Sequence, residues 1–227
     1  MAHEQRCDFL QSAIWQTISL PKRVYIANVG MPKLGDAVAR YALKNWGVSA
    51  QFLLSSETAC GVKNAYDRPA QLGIDRWLSL IGVWREYVRP AFIVDVGSAV
   101  TIDVLGVNGM HQGGWIYPGP TKMLDVLLTQ TEQINRYAHT CKNFWGKNTE
   151  QAVYNGVYFT VCASIHHLRQ ESQKRLGYEL LPIITGGGAQ MCLPFLDADY
   201  VLEVGLVLAG MGFWVSDEMS DTGVVIT

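Results

Sequence analysis

Several things are missing from this chain, and each absence removes a class of protein. No two cysteines form a C-x-x-C pair. Cys7, Cys60, Cys141, Cys162 and Cys192 are an odd number at wide spacing. That pattern supports neither a thiolate zinc site nor a thioredoxin-like motif, and free thiols of a reducing cytosol are expected instead. Charge is also scarce: charged residues make up 17% of the chain and the net charge is −2. Basic residues are scattered rather than clustered, so neither nucleic acid nor a membrane surface is an expected partner. No apolar core of a signal peptide follows the N-terminal Met-Ala-His-Glu-Gln-Arg, and the most apolar stretch, 200–215, is interrupted by Glu203. A cytoplasmic protein without a membrane span is therefore expected. Neither G-x-x-x-x-G-K-[ST] nor G-x-G-x-x-G between a strand and a helix occurs. Their absence disfavours P-loop and dinucleotide-binding folds. Repeats of fixed period and low-complexity stretches are absent too.

What remains is an apolar chain. With 227 residues and 49% apolar content, it can build one large domain or two small ones. The low charged fraction and the seven tryptophans point to a surface partly buried against a second subunit. Residues 23–29 read as a strand ending at Gly30, followed by a helix over 36–46 stopped by Gly47 and a short strand over 51–54. This makes a β-α-β piece. A polar loop at 61–69 leads to a helix over 72–87, with Trp77, Leu80, Ile81 and Trp84 on one face. After a hairpin at 91–107, the glycines and prolines of 113–120 predict a stiff loop, then a helix over 121–130. A polar link runs from Glu132 to Lys147, and Thr149 is placed as the N-cap of a helix reaching Leu176. A strand over 180–185 ends in Gly186-Gly-Gly188, and a strand near Tyr200 and a helix over 205–215 close the chain. The domain boundary is set between 1–90 and 91–227.

Chemistry concentrates in Asp95-Val-Gly-Ser-Ala-Val-Thr-Ile-Asp103. A buried strand ends in an acid, and Gly97 and Ser98 form a small-residue turn before a returning strand. Such a tip lets backbone N–H groups approach a phosphate, and Asp95 supplies a carboxylate where a cation is needed. A plain hairpin, with Asp95 satisfying its own backbone, is the competing reading. Three glycine-bearing turns follow strands, at 95–98, 113–119 and 186–188; the hairpin and the later Gly-Gly turn resemble, by analogy, those with which the actin-like, sugar-kinase-like superfamily holds ATP. The second carboxylate of interest is Asp75. Placed after Gly73 in the first turn of a helix, Asp75 and Arg76 lie where orphan N–H groups and the positive dipole end favour anions. Asp75 is then either a helix cap or a general base kept ionised by Arg76. His166-His167 has no partner at helical spacing, so no metal site is expected there. Trp77, Trp84 and Trp115 are assigned to core or a subunit seam, with lining of a ligand pocket the alternative for one of them.

Five strings occur in order: N-x-Y-x-x-P-x-x-L-G-x-D-R over 64–76, D-x-G-[ST]-A-x-T-x-D over 95–103, G-G-x-I-x-P-G over 113–119, G-x-N-T-x-x-A over 146–152 and T-G-G over 185–187. Together they resemble the type III pantothenate kinase family. The resemblance implies an actin-like α/β fold of two ribonuclease-H-like halves and ATP-dependent phosphorylation of pantothenate, the first step toward coenzyme A. It also implies roles. Asp75 is the catalytic base for the pantothenate hydroxyl. Tyr66, Gly73, Ile74, Asp75, Arg76 and Thr149 bind pantothenate, and Ser98 touches the ATP phosphates. Asp95 holds a monovalent cation, K+ or NH4+, while Mg2+ accompanies ATP. A homodimer is implied as well. A sugar or acetate kinase is disfavoured by the 66–76 string.

One departure stands out. The family's opening D-x-G-N-[ST]-x-x-K strand has no counterpart before Arg23, so the N-terminal half is expected to be incomplete. Phosphoryl transfer rests on positioning and charge stabilisation, so a chain starting at Met1 would lack half of the phosphate clamp. The alternative reading is accordingly a catalytically impaired relative that keeps the fold and pantothenate binding.

Overall fold

The structure is a computed structural model that describes residues 20–30, 32–129 and 144–221. Cys7, Cys141 and most of the polar link (residues 132–143) lie outside the described residues. In chain order the strands and helices are β1 (Val24–Ile26), α1 (Pro32–Trp46), β2 (Ala50–Phe52), β3 (Thr58–Ala59), β4 (Val62–Lys63) and α2 (Ile74–Tyr87). They continue with β5 (Ala91–Val96), β6 (Ala99–Leu105), β7 (His111–Pro118), α3 (Pro120–Thr129) and α4 (Thr149–Leu176). The last are β8 (Leu181–Thr185), α5 (Ala189–Cys192), β9 (Val201–Leu202) and α6 (Leu206–Asp221). Backbone proximity separates two compact units: one holds the described residues up to Ser56 with Arg68–Trp77, the other Glu57–Asp67 with Leu78 onward.

In the first unit β1 and β2 pair in parallel, Val24 opposite Ala50, across α1, which is the expected β-α-β piece. Pro32 heads α1, where its fixed φ and missing N–H cost nothing. Gly47, at φ 68°, ends it in the left-handed region and donates its N–H to Leu43 O at 3.1 Å. Farther along, Ser55 Oγ donates to the Leu72 carbonyl at 2.8 Å and fastens the segment that leads into α2.

The second unit is built on a five-stranded mixed sheet ordered β7-β6-β5-β8-β9. β5, β6 and β7 are antiparallel neighbours, while β8 and β9 run parallel to β5. This is the ribonuclease-H-like order of the expected actin-like α/β fold. Alternation along β5 and β6 sends Phe92, Val94, Val96, Val100, Ile102 and Val104 to one face. There they pack with Val161, Cys162 and Ile165 of α4 and Cys192 of α5 into a single buried cluster. Buried positions recur along α4 at Tyr154, Val157, Val161, Ile165, Arg169 and Ser172, a spacing of three or four that keeps one stripe on the sheet.

Three local expectations change. The polar segment 61–69 read as a loop begins inside the β3–β4 hairpin: β4 lies within it, β3 precedes it, and the turn is made by Cys60 (φ 50°) and Gly61 (φ 82°). Two successive positive φ values define the tight hairpin turn, and a cysteine in that position gives no sequence signal for it. The glycine- and proline-rich stretch read as a stiff loop is the edge strand β7, paired along β6 from Ala99↔Pro118 to Leu105↔His111 with an irregularity at Val104/Leu105. An edge strand tolerates the glycines, and Pro118 sits at its last position. Finally, the N-cap of α4 is Asn148 rather than Thr149: Asn148 Oδ1 accepts from Gln151 N at 2.8 Å, and Gln151 Oε1 accepts from Lys147 N at 2.9 Å. Among the described residues no helix is long and apolar enough to cross a membrane.

Candidate functional site

The parallel strands β5, β8 and β9 all end at one edge of the sheet, where β6 starts and β7 finishes. Ligands of open α/β sheets bind outside such carboxyl ends. At that edge Asp95 is opposite Thr101 of β6 and opposite Thr185 of β8. Register neighbours share a face, so a carboxylate stands between two hydroxyl side chains on the face away from α4. Thr185 is buried and Asp95 half-buried.

The turn after β8 is pressed onto this carboxylate. A Cβ on Gly186 would lie 2.3 Å from Asp95 Oδ1, 2.6 Å from Val96 O and 2.7 Å from Val96 N, and its φ is 92°. Only glycine meets both conditions. Gly188 N–H donates to Val96 O at 2.8 Å and fixes the turn to the end of β5. A hollow of about 330 Å3 opens here, lined by Asp95, Thr185, Gly186, Gly187 and the segment 202–208. That segment includes Gly205 and the start of α6, whose first N–H groups lack intrahelical partners and suit an anion. Glu203 also lines it and accepts the Tyr87 hydroxyl proton; burial first, then this carboxylate, pushes the Tyr87 phenol up to about 12.

The β5–β6 turn is as expected, with Gly97 and Ser98 exposed at the tip. The end of β7 closes on it: Gly119 N–H donates to Ser98 O at 3.0 Å, and a Cβ on Gly119 would fall 2.1 Å from Gly97 O. The last glycine of the 113–119 string thus presses against the first turn. Among the described residues no three side chains of His, Cys, Asp or Glu converge to hold a metal. Asp95 offers a hard carboxylate donor between the Thr101 and Thr185 hydroxyls. Such a set suits a cation shared with bound phosphates rather than a protein-only cage.

In the first unit Asp75 sits in the first turn of α2, as expected, with Ile74 and Arg76 buried on either side of it. Asp75 Oδ1 accepts from Arg76 N at 2.8 Å, and a Cβ on Gly73 would lie 2.7 Å from the same oxygen. Absence of a side chain at residue 73 therefore leaves room for this carboxylate at the helix start.

Thr149 is exposed at the first position of α4. With the cap supplied by Asn148, its hydroxyl is not committed to the helix start. Tyr66 is half-buried, with its ring stacked on His111 at 6.1 Å between centroids and 14° between planes. His111 and Asp103 were not singled out from the sequence, yet they form a buried pair, Nε2 to Oδ1 2.9 Å. The available signal was a lone histidine opening a glycine strand, eight residues after an acid that ends a motif. His166 instead pairs at the surface with Asp197 at 3.2 Å. Of the tryptophans, Trp77 is fully buried, Trp84 half-buried and Trp115 41% exposed, which takes Trp115 out of the core.

With this geometry in hand, residues 1–171 match the family model described as type III pantothenate kinase. The chain belongs to the type III pantothenate kinase family. A type III pantothenate kinase of Nitrosococcus oceani is 34% identical over 206 residues, covering 88% of this chain and 77% of that one. One of Nitrosomonas eutropha is 34% identical over 196 residues, covering 84% and 75%. Among solved structures, a Baf family protein of Campylobacter jejuni superposes with a TM-score of 0.61 at 21% identity, covering 94% of this chain and 88% of that one. That likeness supports the actin-like α/β fold of the family.

Proposed function

We propose that this family member phosphorylates the primary hydroxyl of pantothenate with ATP, giving 4'-phosphopantothenate. The observation that carries the reading is the strand-end carboxylate Asp95, set between Thr101 and Thr185 and against the Gly186 turn, beside a hollow lined by residues 185–187 and 202–208. Ser98 contacts the phosphates from the hairpin tip. Tyr66, Gly73, Ile74, Arg76 and Thr149 bind pantothenate, with buried Arg76 contributing positive charge near the carboxylate of that substrate. Asp75 accepts the hydroxyl proton as the oxygen attacks the γ-phosphorus in line. Asp95 would hold a monovalent cation, K+ or NH4+, which when bound supplies positive charge beside the phosphates; Mg2+ arrives with ATP. Two copies of the chain form the working homodimer, and light scattering that finds only the 25.2 kDa monomer at micromolar concentration would refute this point.

The test is ADP release from ATP with and without pantothenate, in potassium, ammonium and sodium salts. Pantothenate-dependent release that rises with potassium or ammonium is expected. Asp75→Asn should fold normally and lose about 10²–10⁴-fold in turnover, the range for removal of a general base. Calorimetric pantothenate binding without any ADP release would replace the kinase with a catalytically impaired relative. A variant at residue 75 with near-normal turnover would remove Asp75 from the role of base.

A further inference from the structure

The buried Asp103–His111 pair has no part in the scheme above, and its surroundings give it one. Both side chains are almost inaccessible, 0% exposed for His111 and 5% for Asp103. His111 Nε2 faces Asp103 Oδ1 at 2.9 Å, so Nε2 carries the ring proton. The partner of one ring nitrogen decides the role of the other. Nδ1 is then a bare acceptor, and it faces the backbone N–H of Ala65 at 3.4 Å. The opposite tautomer would set two donors against each other at Ala65 and two acceptors against each other at Asp103. One residue on, Tyr66 N–H donates to Asn64 Oδ1 at 3.0 Å, and the Tyr66 ring lies nearly parallel to the imidazole. Lys63 also forms an isolated bridge with Met110, so the two segments meet again just before the histidine contact.

We propose that His111 is a positioning residue: locked by Asp103, it holds the 64–66 turn and sets the attitude in which Tyr66 meets the acceptor substrate. This rests on the reading that Tyr66 binds pantothenate. Asp103 acts only through the imidazole, and neither residue touches the reacting atoms. The link explains why the last acid of the 95–103 string matters although it stands two residues inside the sheet from the row that holds Asp95.

His111→Gln is the informative variant. Its amide can still donate to Asp103, so no buried charge is orphaned, but it lacks the ring and the acceptor at the Nδ1 position. Amide hydrogen exchange across 57–67 and pantothenate titration by calorimetry are measured on the full chain. Faster exchange at Ala65 and Tyr66, with pantothenate affinity lowered roughly tenfold while ATP affinity is kept, is the expected result. Unchanged exchange overturns the proposal. Faster exchange with unchanged pantothenate affinity overturns it too, leaving His111 a structural residue only. Should His111→Gln fail to fold, Asp103→Asn carries the same test. A neutral amide enforces neither tautomer, so protection at Ala65 should fall and pantothenate affinity with it. A wild-type chain that binds no pantothenate overturns the functional reading instead, and the exchange data alone then decide whether His111 holds the turn.

Discussion

Replacing Gly186 by alanine tests the site at its tightest point. The added methyl carbon would lie 2.3 Å from Asp95 Oδ1, 2.6 Å from Val96 O and 2.7 Å from Val96 N, at a φ of 92°. Two costs add. A non-glycine residue held at positive φ costs roughly 1–3 kcal/mol. Overpacking against a fixed backbone costs about 1–3 kcal/mol more. The Val96 backbone cannot give way cheaply, because it belongs to the central strand β5, whose carbonyl already accepts Gly188 N–H at 2.8 Å. A loss of about 2–6 kcal/mol is therefore expected, and with a urea m-value of about 2 kcal/mol/M the midpoint should fall by about 1–3 M. Gly187→Ala is the internal control. Its added carbon meets nothing within 4 Å, and its φ is not in the left-handed range, so stability should stay within about 0.5 kcal/mol of wild type. The assay is urea unfolding followed by tryptophan fluorescence, with ATP affinity measured on both variants. Equal midpoints for the two variants would refute the claim that the turn is pressed onto Asp95.

Two further outcomes follow from local geometry. Asn148→Ala should lower stability by about 0.5–2 kcal/mol, the range for a lost N-cap, whereas Thr149→Ala should leave it nearly unchanged and weaken pantothenate binding; thermal melts giving the reverse order would return the cap to Thr149. The Arg169 bond holds the Asp199 carboxyl below its ordinary range, so its contribution is complete above the unfolded pKa of about 3.9 and disappears as pH falls through the lower folded value. Urea midpoints of wild type and Arg169→Met should therefore converge on acidification across that window, and parallel pH curves would contradict the assignment.

How much of this was legible in the sequence depended on whether a residue's role was local. The β5–β6 hairpin was readable because Ala91–Val94 is continuously apolar and Val100, Ile102 and Val104 alternate with Thr101 and Asp103. The helix carrying Asp75 was equally plain, since Gly73 and the following apolar face mark its start. By contrast β7 was hidden. Its Gly113, Gly114 and Pro118 have turn chemistry, and only pairing with β6 makes them a strand. The same applies to β3 and β4, where a cysteine takes the left-handed turn position. The N-cap was misplaced by one residue because Asn148 and Thr149 are both good caps, and the choice lies in backbone geometry rather than residue type. Asp95 near a strand end and Ser98 at the following turn tip were readable from the apolar run and the small residues after it. His111 was not, because its meaning depends on Asp103 at one ring nitrogen and Ala65 at the other.

Topology explains why motifs so far apart in the chain have a common purpose. Because β5, β8 and β9 are parallel, their carboxyl ends Val96, Thr185 and Leu202 share one edge, and the turns that follow each of them open there. The antiparallel β6 starts at the same edge with Ala99, and β7, antiparallel to β6, ends there with Pro118. At this edge two glycines meet backbone or a site carboxylate, Gly119 against Gly97 O at 2.1 Å and Gly186 against Asp95 and Val96, while Gly188 meets the Val96 side chain at 2.8 Å and its carbonyl at 3.1 Å. At the opposite edge Gly106 is also crowded, but its nearest neighbour, at 2.8 Å, is the end of the Gln112 side chain, which can swing away. The numerical contact is similar and the physical meaning differs. A glycine facing fixed backbone constrains the sequence, whereas one facing a flexible side chain does not. Gly119 and Gly186, one from each of the 113–119 and 185–187 strings, are therefore required as parts of one surface, built where the parallel strands of the sheet end.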